Sequence, residues 1–198
     1  MKPTFIKSIL LLLLNVTIVS KVAIAQYEQK LTFQAAGGFV HTISPDFFRQ
    51  VFENGFSLDA GAQYNFSRST SLVVLGKYSK FFASDNFLLQ SADYNLIGIS
   101  LCPKLRFFSS SKINPYILGG ASINYYSYSY SFGGNEQTTP WATKFGFIGG
   151  AGIDLRINDN FAIFCQAGIN GVGLSDEFLI ALFTQVGINI SFLKSKSL

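Results

Sequence analysis

Charge is what this sequence has least of: Asp, Glu, Lys and Arg make up 13% of its 198 residues, about half the quarter usual in a soluble domain. So few charges cannot coat a water-facing surface at ordinary density. Histidine is scarcer still. His41 stands alone, which excludes metal centres built on paired histidines, and Cys102 and Cys165 form no Cys-x-x-Cys motif. Beyond residue 25 no apolar run is long enough to cross a bilayer as a helix, which takes about 17–25 residues. No phosphate-cradling glycine loop precedes a helix, because the glycine pairs lie inside alternating segments. The formal charge of +4 includes Lys2, Lys7 and Lys21 of the N-terminal segment; without these three, 12 basic residues face 11 acidic ones. Nucleic acid is therefore not an expected partner, since it calls for a concentrated basic face.

The N-terminal segment reads as an export signal. Lys2 and Lys7 form a positive start, Ile9 to Val19 an apolar core interrupted by Asn15 and Thr17, and Ala23-Ile24-Ala25 a small-residue cleavage site. The expectation is a Sec-type signal peptide over 1–25, cleaved after Ala25, and one domain over 26–198.

What the sequence has in abundance is aromatic residues (16%), with 21 Phe and 18 Gly, set beyond residue 25 in period-2 alternation. In Gly55 to Ser67, Phe56, Leu58, Ala60, Ala62, Tyr64 and Phe66 oppose Ser57, Asp59, Gly61, Gln63 and Asn65. Ile97 to Phe107, Lys144 to Ile157 and Leu182 to Phe192 alternate in the same way. Leu31 to Val40, Ser71 to Phe82, Pro115 to about Tyr130 and Phe161 to Asn170 do so less cleanly. Eight strands result. Turns at Arg68-Ser69, Ser109 to Asn114 and Asn158 to Asn160 are short. Loops at His41 to Asn54, Ala83 to Asp93, Ser131 to Thr143 and Gly171 to Glu177 are mostly longer.

An even strand count with short turns at one end and long loops at the other is the pattern of a closed eight-stranded antiparallel up-and-down transmembrane β-barrel. Its location would be the outer membrane. Aromatics fall near the strand ends, as interfacial girdles require: Phe56, Tyr78, Phe81, Phe82, Tyr94 and Trp141 toward the loops, and Tyr64, Phe66, Phe107, Tyr116, Phe161 and Phe192 toward the turns. Alternation alone also allows a soluble barrel with its apolar face inward. The opposite face, built of Gly, Ser, Gln and Asn with few charges, argues for the membrane form. Pro103 within a strand calls for a bulge, Leu75 falls on the lumen side, and Tyr126, Tyr128 and Tyr130 drift off the expected face.

Asn114-Pro115-Tyr116 opening a strand that continues Gly119-Gly120-Ala121 resembles the outer-membrane barrel domains common in Bacteroidota, often labelled PorT-like, of the OmpA/OmpX eight-stranded type. Lys77-Tyr78-Ser79, Pro103 followed by Lys104 and Phe107, and Gly149-Gly150-Ala151-Gly152-Ile153-Asp154 add to the resemblance. It covers the chain from Gln26 to Phe192, through loose Gly and aromatic spacing. It implies an outer-membrane barrel with no assigned enzyme activity, and the PorT label implies a link to protein secretion. Leu193 to Leu198 after Phe192 depart from the terminal aromatic of many such barrels.

No catalytic site, cofactor or metal site is expected. His41, Ser44 and Asp46 lie within six residues, but Ser-Pro-Asp beside a loop is turn chemistry. Asp59, Lys77, Lys104, Arg106, Asp154 and Arg156 all carry the parity of the polar face. An eight-stranded barrel is just wide enough for side chains to fill, so these six are expected to form a structural lumen network rather than an ion path. Asp59 and Lys77 lie nine residues either side of Arg68, which sets them opposite each other across a hairpin. The expected function is a structural or loop-display component of the envelope; the alternative is an accessory to secretion or envelope assembly. Expected partners are the lipid bilayer, the barrel assembly machinery during biogenesis, and a protein reached through the extracellular loops.

Overall fold

In the computed structural model the described residues are 31–83, 91–108, 111–132, 135–173 and 177–192. The expected signal peptide over 1–25 and most of the loop expected at Ala83 to Asp93 lie outside them. Nine strands are present among the described residues: β1 (Leu31–Ser44), β2 (Phe52–Asn65), β3 (Thr70–Ala83), β4 (Ser91–Arg106), β5 (Ile113–Phe132), β6 (Asn135–Thr138), β7 (Ala142–Arg156), β8 (Phe161–Gly173) and β9 (Phe178–Ser191). The wall strands pair antiparallel with their neighbours in the order β1-β2-β3-β4-β5-β7-β8-β9, and β9 pairs back with β1. The sheet is closed. β6 pairs only with the far end of β5, so it lengthens one hairpin beyond the wall, and eight strands make the barrel.

Turn chemistry fixes the short ends. The Ser67 hydroxyl accepts from the backbone N–H groups of Ser69 and Thr70, and the Asn158 carboxamide oxygen accepts from those of Asn160 and Phe161. Both side chains imitate a backbone turn. The backbone N–H of Phe192 donates to Leu31 O at 3.3 Å, so β1 and β9 meet at this same end.

Two expectations need correction. The segment His41 to Asn54 is not an open loop: β1 runs on to Ser44, and a helix, α1 (Asp46–Val51), precedes β2. Asp46 in its first turn and Arg49 in its last suit the helix dipole and pair at 3.2 Å. Pro103 needs no bulge. Leu101 pairs with Ala121 and Lys104 with Leu118 in one unbroken register. The missing N–H is absorbed at Cys102 and Pro103, which have no ladder partner on β5, while β3 stays in register with both. Gly120 faces this gap, and a Cβ there would strike the Leu101 carbonyl.

Burial follows the parity read from the sequence, with the polar face inside. Asp59, Gln63 and Ser57 are buried, while Leu58 (55% exposed) and Val186 (62%) lie on the outer wall.

Candidate functional site: the packed lumen

The lumen is filled by three layers of side chains. At the turn end, Asp154 on β7 faces two cations from β4. Its carboxylate lies 3.0 Å from Lys104 Nζ and 3.1 Å from Arg106 Nε, and also accepts from Asn189 Nδ2 at 3.1 Å. Arg106 donates onward to Ser71 Oγ at 2.8 Å and Asn65 Oδ1 at 3.2 Å, and Asn65 Nδ2 donates to Thr32 Oγ1. On the other side Lys104 Nζ sits 3.6 Å from the centroid of the Tyr116 ring. The Tyr116 hydroxyl donates to Gln166 Oε1, Gln166 to Gln185 Oε1, and Gln185 to Ser57 Oγ. These contacts form one connected chain that touches all eight wall strands. Low local polarity around the network strengthens each of its hydrogen bonds.

In the middle layer Asp59 on β2 is register partner to Lys77 on β3, as the count from Arg68 requires. Their charged atoms are 3.8 Å apart. Lys77 Nζ also lies 3.9 Å above the Phe183 ring. Val73, Leu75, Cys102, Ile148 and Phe183 pack together here, which accounts for Leu75 on the inner face.

The loop end is closed by aromatics. Phe48 of α1 enters the mouth, its ring centroid 4.7 Å from that of Tyr94 and 5.0 Å from that of Phe52. Tyr126 stacks on Tyr94 at 5.7 Å, and Val40, Phe81, Leu96 and Leu179 complete the layer. Three residues expected in the girdles thus belong inside: Phe81, Tyr94 and Tyr116 are all buried in the lumen. Proximity to a strand end does not determine which face a ring takes; parity does. Tyr126 keeps its register without a bulge because its place is the inner face.

Of the six polar residues singled out in the sequence, Lys104, Arg106 and Asp154 come together, Asp59 and Lys77 form a separate pair, and Arg156 is exposed at the turn end. Sequence reading missed Tyr116, Gln166, Gln185 and Asn189. Their even or odd positions mark the inner face, but nothing local marks their level in the barrel.

Room for Tyr116 comes from Gly152, where a Cβ would meet the ring, its hydroxyl and the backbone carbonyl of Cys165. Gly152→Val is expected to lower stability by about 1–3 kcal/mol, the usual cost of overpacking, and Tyr116→Ala in the same chain should return part of it. Denaturant unfolding of the folded barrel reads both; no recovery in the double variant would deny the contact.

His41, Ser44 and Asp46 do not converge. The His41 ring turns outward and its Nδ1 meets Asn54 Oδ1 at 2.8 Å, while Asp46 holds Arg49. Among the described residues no group of three or more His, Cys, Asp or Glu is arranged to hold a metal ion.

The cysteines are free, Cys102 inside and Cys165 on the outer wall, with β5 and β7 between their strands. A disulfide needs Cα atoms about 4.4–6.8 Å apart. Protein prepared under oxidising conditions and then denatured should alkylate at both thiols; a mass two protons short, unreactive to alkylation, would contradict this wall order.

No family model matches the chain and no curated protein matches it. Solved structures do resemble it. The Neisserial surface protein A aligns with a TM-score of 0.56 at 18% identity, covering 82% of this chain and 97% of that one. A major outer membrane protein of Thermus thermophilus gives 0.57 at 12% identity, covering 84% and 100%. The outer membrane protein OprG of Pseudomonas aeruginosa gives 0.54 at 13%, covering 83% and 97%. At such identities the likeness speaks for the fold, a closed antiparallel barrel of this size.

Proposed function

We propose that this chain is an integral outer-membrane barrel whose lumen serves as a packed core and whose exposed end is the part that meets other molecules. The observation that carries this reading is the inversion of burial. Phe39, Phe145 and Ile99 are among many large apolar side chains exposed on the outer wall, while Lys104, Asp154 and Gln185 are buried within it. Water would oppose that arrangement and hydrocarbon favours it. The limit of the apolar belt on β3 and β4 is marked by an outward ion pair, Lys80 to Asp93 at 2.8 Å, beside the Tyr78 hydroxyl donating to Asn95. No helix among the described residues is long and apolar enough to span; in this reading the strands make the crossing.

The role is then structural or loop-displaying, with no catalytic step. The lumen network is a scaffold: its ion pairs brace the wall strands from within. A secretion or assembly accessory is the second reading. It rests on the PorT-like motifs, two of whose residues, Tyr116 and Lys104, pack against each other inside the lumen, and so it has less support.

Fractionation combined with gel migration tests the main reading. The protein is expected in the outer-membrane fraction, to migrate differently before and after boiling, and to be labelled on intact cells through an epitope placed at Thr139 to Trp141. Recovery in the soluble fraction would sink the membrane assignment. Steady single-channel conductance in a planar bilayer would sink the packed-core role.

A further inference from the structure

The outer wall carries a recess of about 630 Å³ across β1, β9, β8 and β7. Its floor is a cross-strand row of small side chains: Ala151 pairs with Ala167, Ala167 with Thr184, and Thr184 with Phe39. Phe39 is 76% exposed and stands as a wall at the end of the row. A second hollow adjoins the first at Phe39 and Thr184 and is lined by His41 and Asn54. These two polar residues are register partners on β1 and β2.

Depth decides what meets each part. Phe33 packs edge-on against Phe192 at the turn end, 5.8 Å between ring centroids, in the position of the inner girdle. His41 lies eight residues further along the same outward row. At about 3.3 Å per residue and a tilt near 40° that is roughly 20 Å of height, close to the top of an apolar band about 25 Å tall. The recess beside Phe39 is therefore within hydrocarbon, and His41 with Asn54 lies near its outer edge, about 5 Å below the top of the band and within side-chain reach of an outer-leaflet headgroup. His41 Nδ1 and the Asn54 carboxamide lie 2.8 Å apart, which leaves His41 Nε2 and an Asn54 amide N–H without a side-chain partner among the described residues.

We propose that this recess holds one acyl chain of a phosphate-bearing lipid of the outer leaflet, with its phosphate bound by His41 and Asn54. The proposal rests on the membrane reading above. With a methylene taken as about the size of a water, ~30 Å³, the recess has room for about one chain. A second copy of the barrel is a poor occupant, because two convex walls touch along a line and neither fills a hollow in the other. Phe39 would also hold such a wall away, whereas a flexible chain bends around it. With one Asn54 amide N–H donating to His41 Nδ1, the ring carries its proton on Nε2 and donates from there, and the second amide N–H donates beside it, so an oxyanion receives two hydrogen bonds.

The test uses the full folded barrel in detergent micelles. It is incubated with phosphatidylglycerol, or with diacylglycerol of the same chains, and bound lipid is counted by native mass spectrometry. The wild-type protein is expected to retain one phosphatidylglycerol and to prefer it over diacylglycerol by about tenfold. Filling the recess with Ala151→Phe and Ala167→Phe should remove retention of both lipids, while Ala121→Phe, outward on β5, should leave it unchanged. His41→Ala should abolish the preference without loss of diacylglycerol. Equal retention by the filled and wild-type proteins overturns the proposal, as does no preference for the phosphate lipid, or a dimer that dissociates when the recess is filled. Gel migration of the same samples before and after boiling keeps the two readings apart. A folded barrel that retains no lipid counts against the recess alone. A chain that never enters membranes counts against the membrane reading, and the lipid site falls with it.

Discussion

Replacing Asp154 with alanine is expected to lower the stability of the barrel by about 3–5 kcal/mol, the scale seen when one member of a buried charge cluster is removed. Among the described residues the carboxylate is the single anion paired with Lys104 and Arg106, at 3.0 and 3.1 Å, and its side chain is 7% exposed. Without it two cations from one strand are left close together in a region that water reaches poorly. Arg106 keeps Ser71 and Asn65, whereas Lys104 keeps only the faces of Tyr116 and Phe164. Lys104→Met added to Asp154→Ala should accordingly recover more than Arg106→Met does. Urea unfolding in lipid vesicles provides the measurement. A loss below about 1 kcal/mol, the worth of an exposed pair, would mean that the cluster is hydrated and braces nothing.

The second large effect is expected at Asp59. Asp59→Ala should also cost about 3–5 kcal/mol, because it strands Lys77 in the lumen, and Lys77→Met on the same background should restore most of that loss. Recovery is expected to be fuller here than at Asp154. The pair is a simple one, one anion and one cation held at 3.8 Å, so replacing both partners forfeits little. Lys77→Met also suits its surroundings, Phe183 beneath it and Val73 and Leu75 beside it. Strict additivity of the two single changes in a double-mutant cycle would show that the charges do not interact.

The two clusters differ in how far the sequence determines them. Asp59 and Lys77 belong to one hairpin, and a hairpin's register is set by its turn. Counting nine residues each way from Arg68 therefore places them opposite one another before any fold is known. Lys104 and Asp154 are 50 residues apart and sit on strands separated by β5. Parity places both inside, yet which level of the lumen each reaches depends on strand tilt and on the stagger at closure. The same limit explains the aromatics. Phe81, Tyr94 and Tyr116 lie near strand ends, where a girdle would sit, although their parity matches the buried neighbours Ser79, Leu96 and Asn114. α1 was hidden because a six-residue helix between two strands is too short to show a period of 3.6. Its purpose, the insertion of Phe48 among Phe52, Phe81 and Tyr94, exists only once the mouth has formed.

Whatever depends on near neighbours in the chain could be read without a fold. Alternation marks the strands, short and long connections mark their number and direction, and a polar face poor in charge marks the side turned inward. Each of these follows from a two-residue repeat or a local turn, whose geometry is set within a few residues. Two features came only with closure of the sheet: which inward side chains meet across the lumen, and the alignment of small side chains from β7, β8 and β9 beside Phe39. They require one particular stagger among the strands, and that stagger is a property of all eight together that no single segment contains.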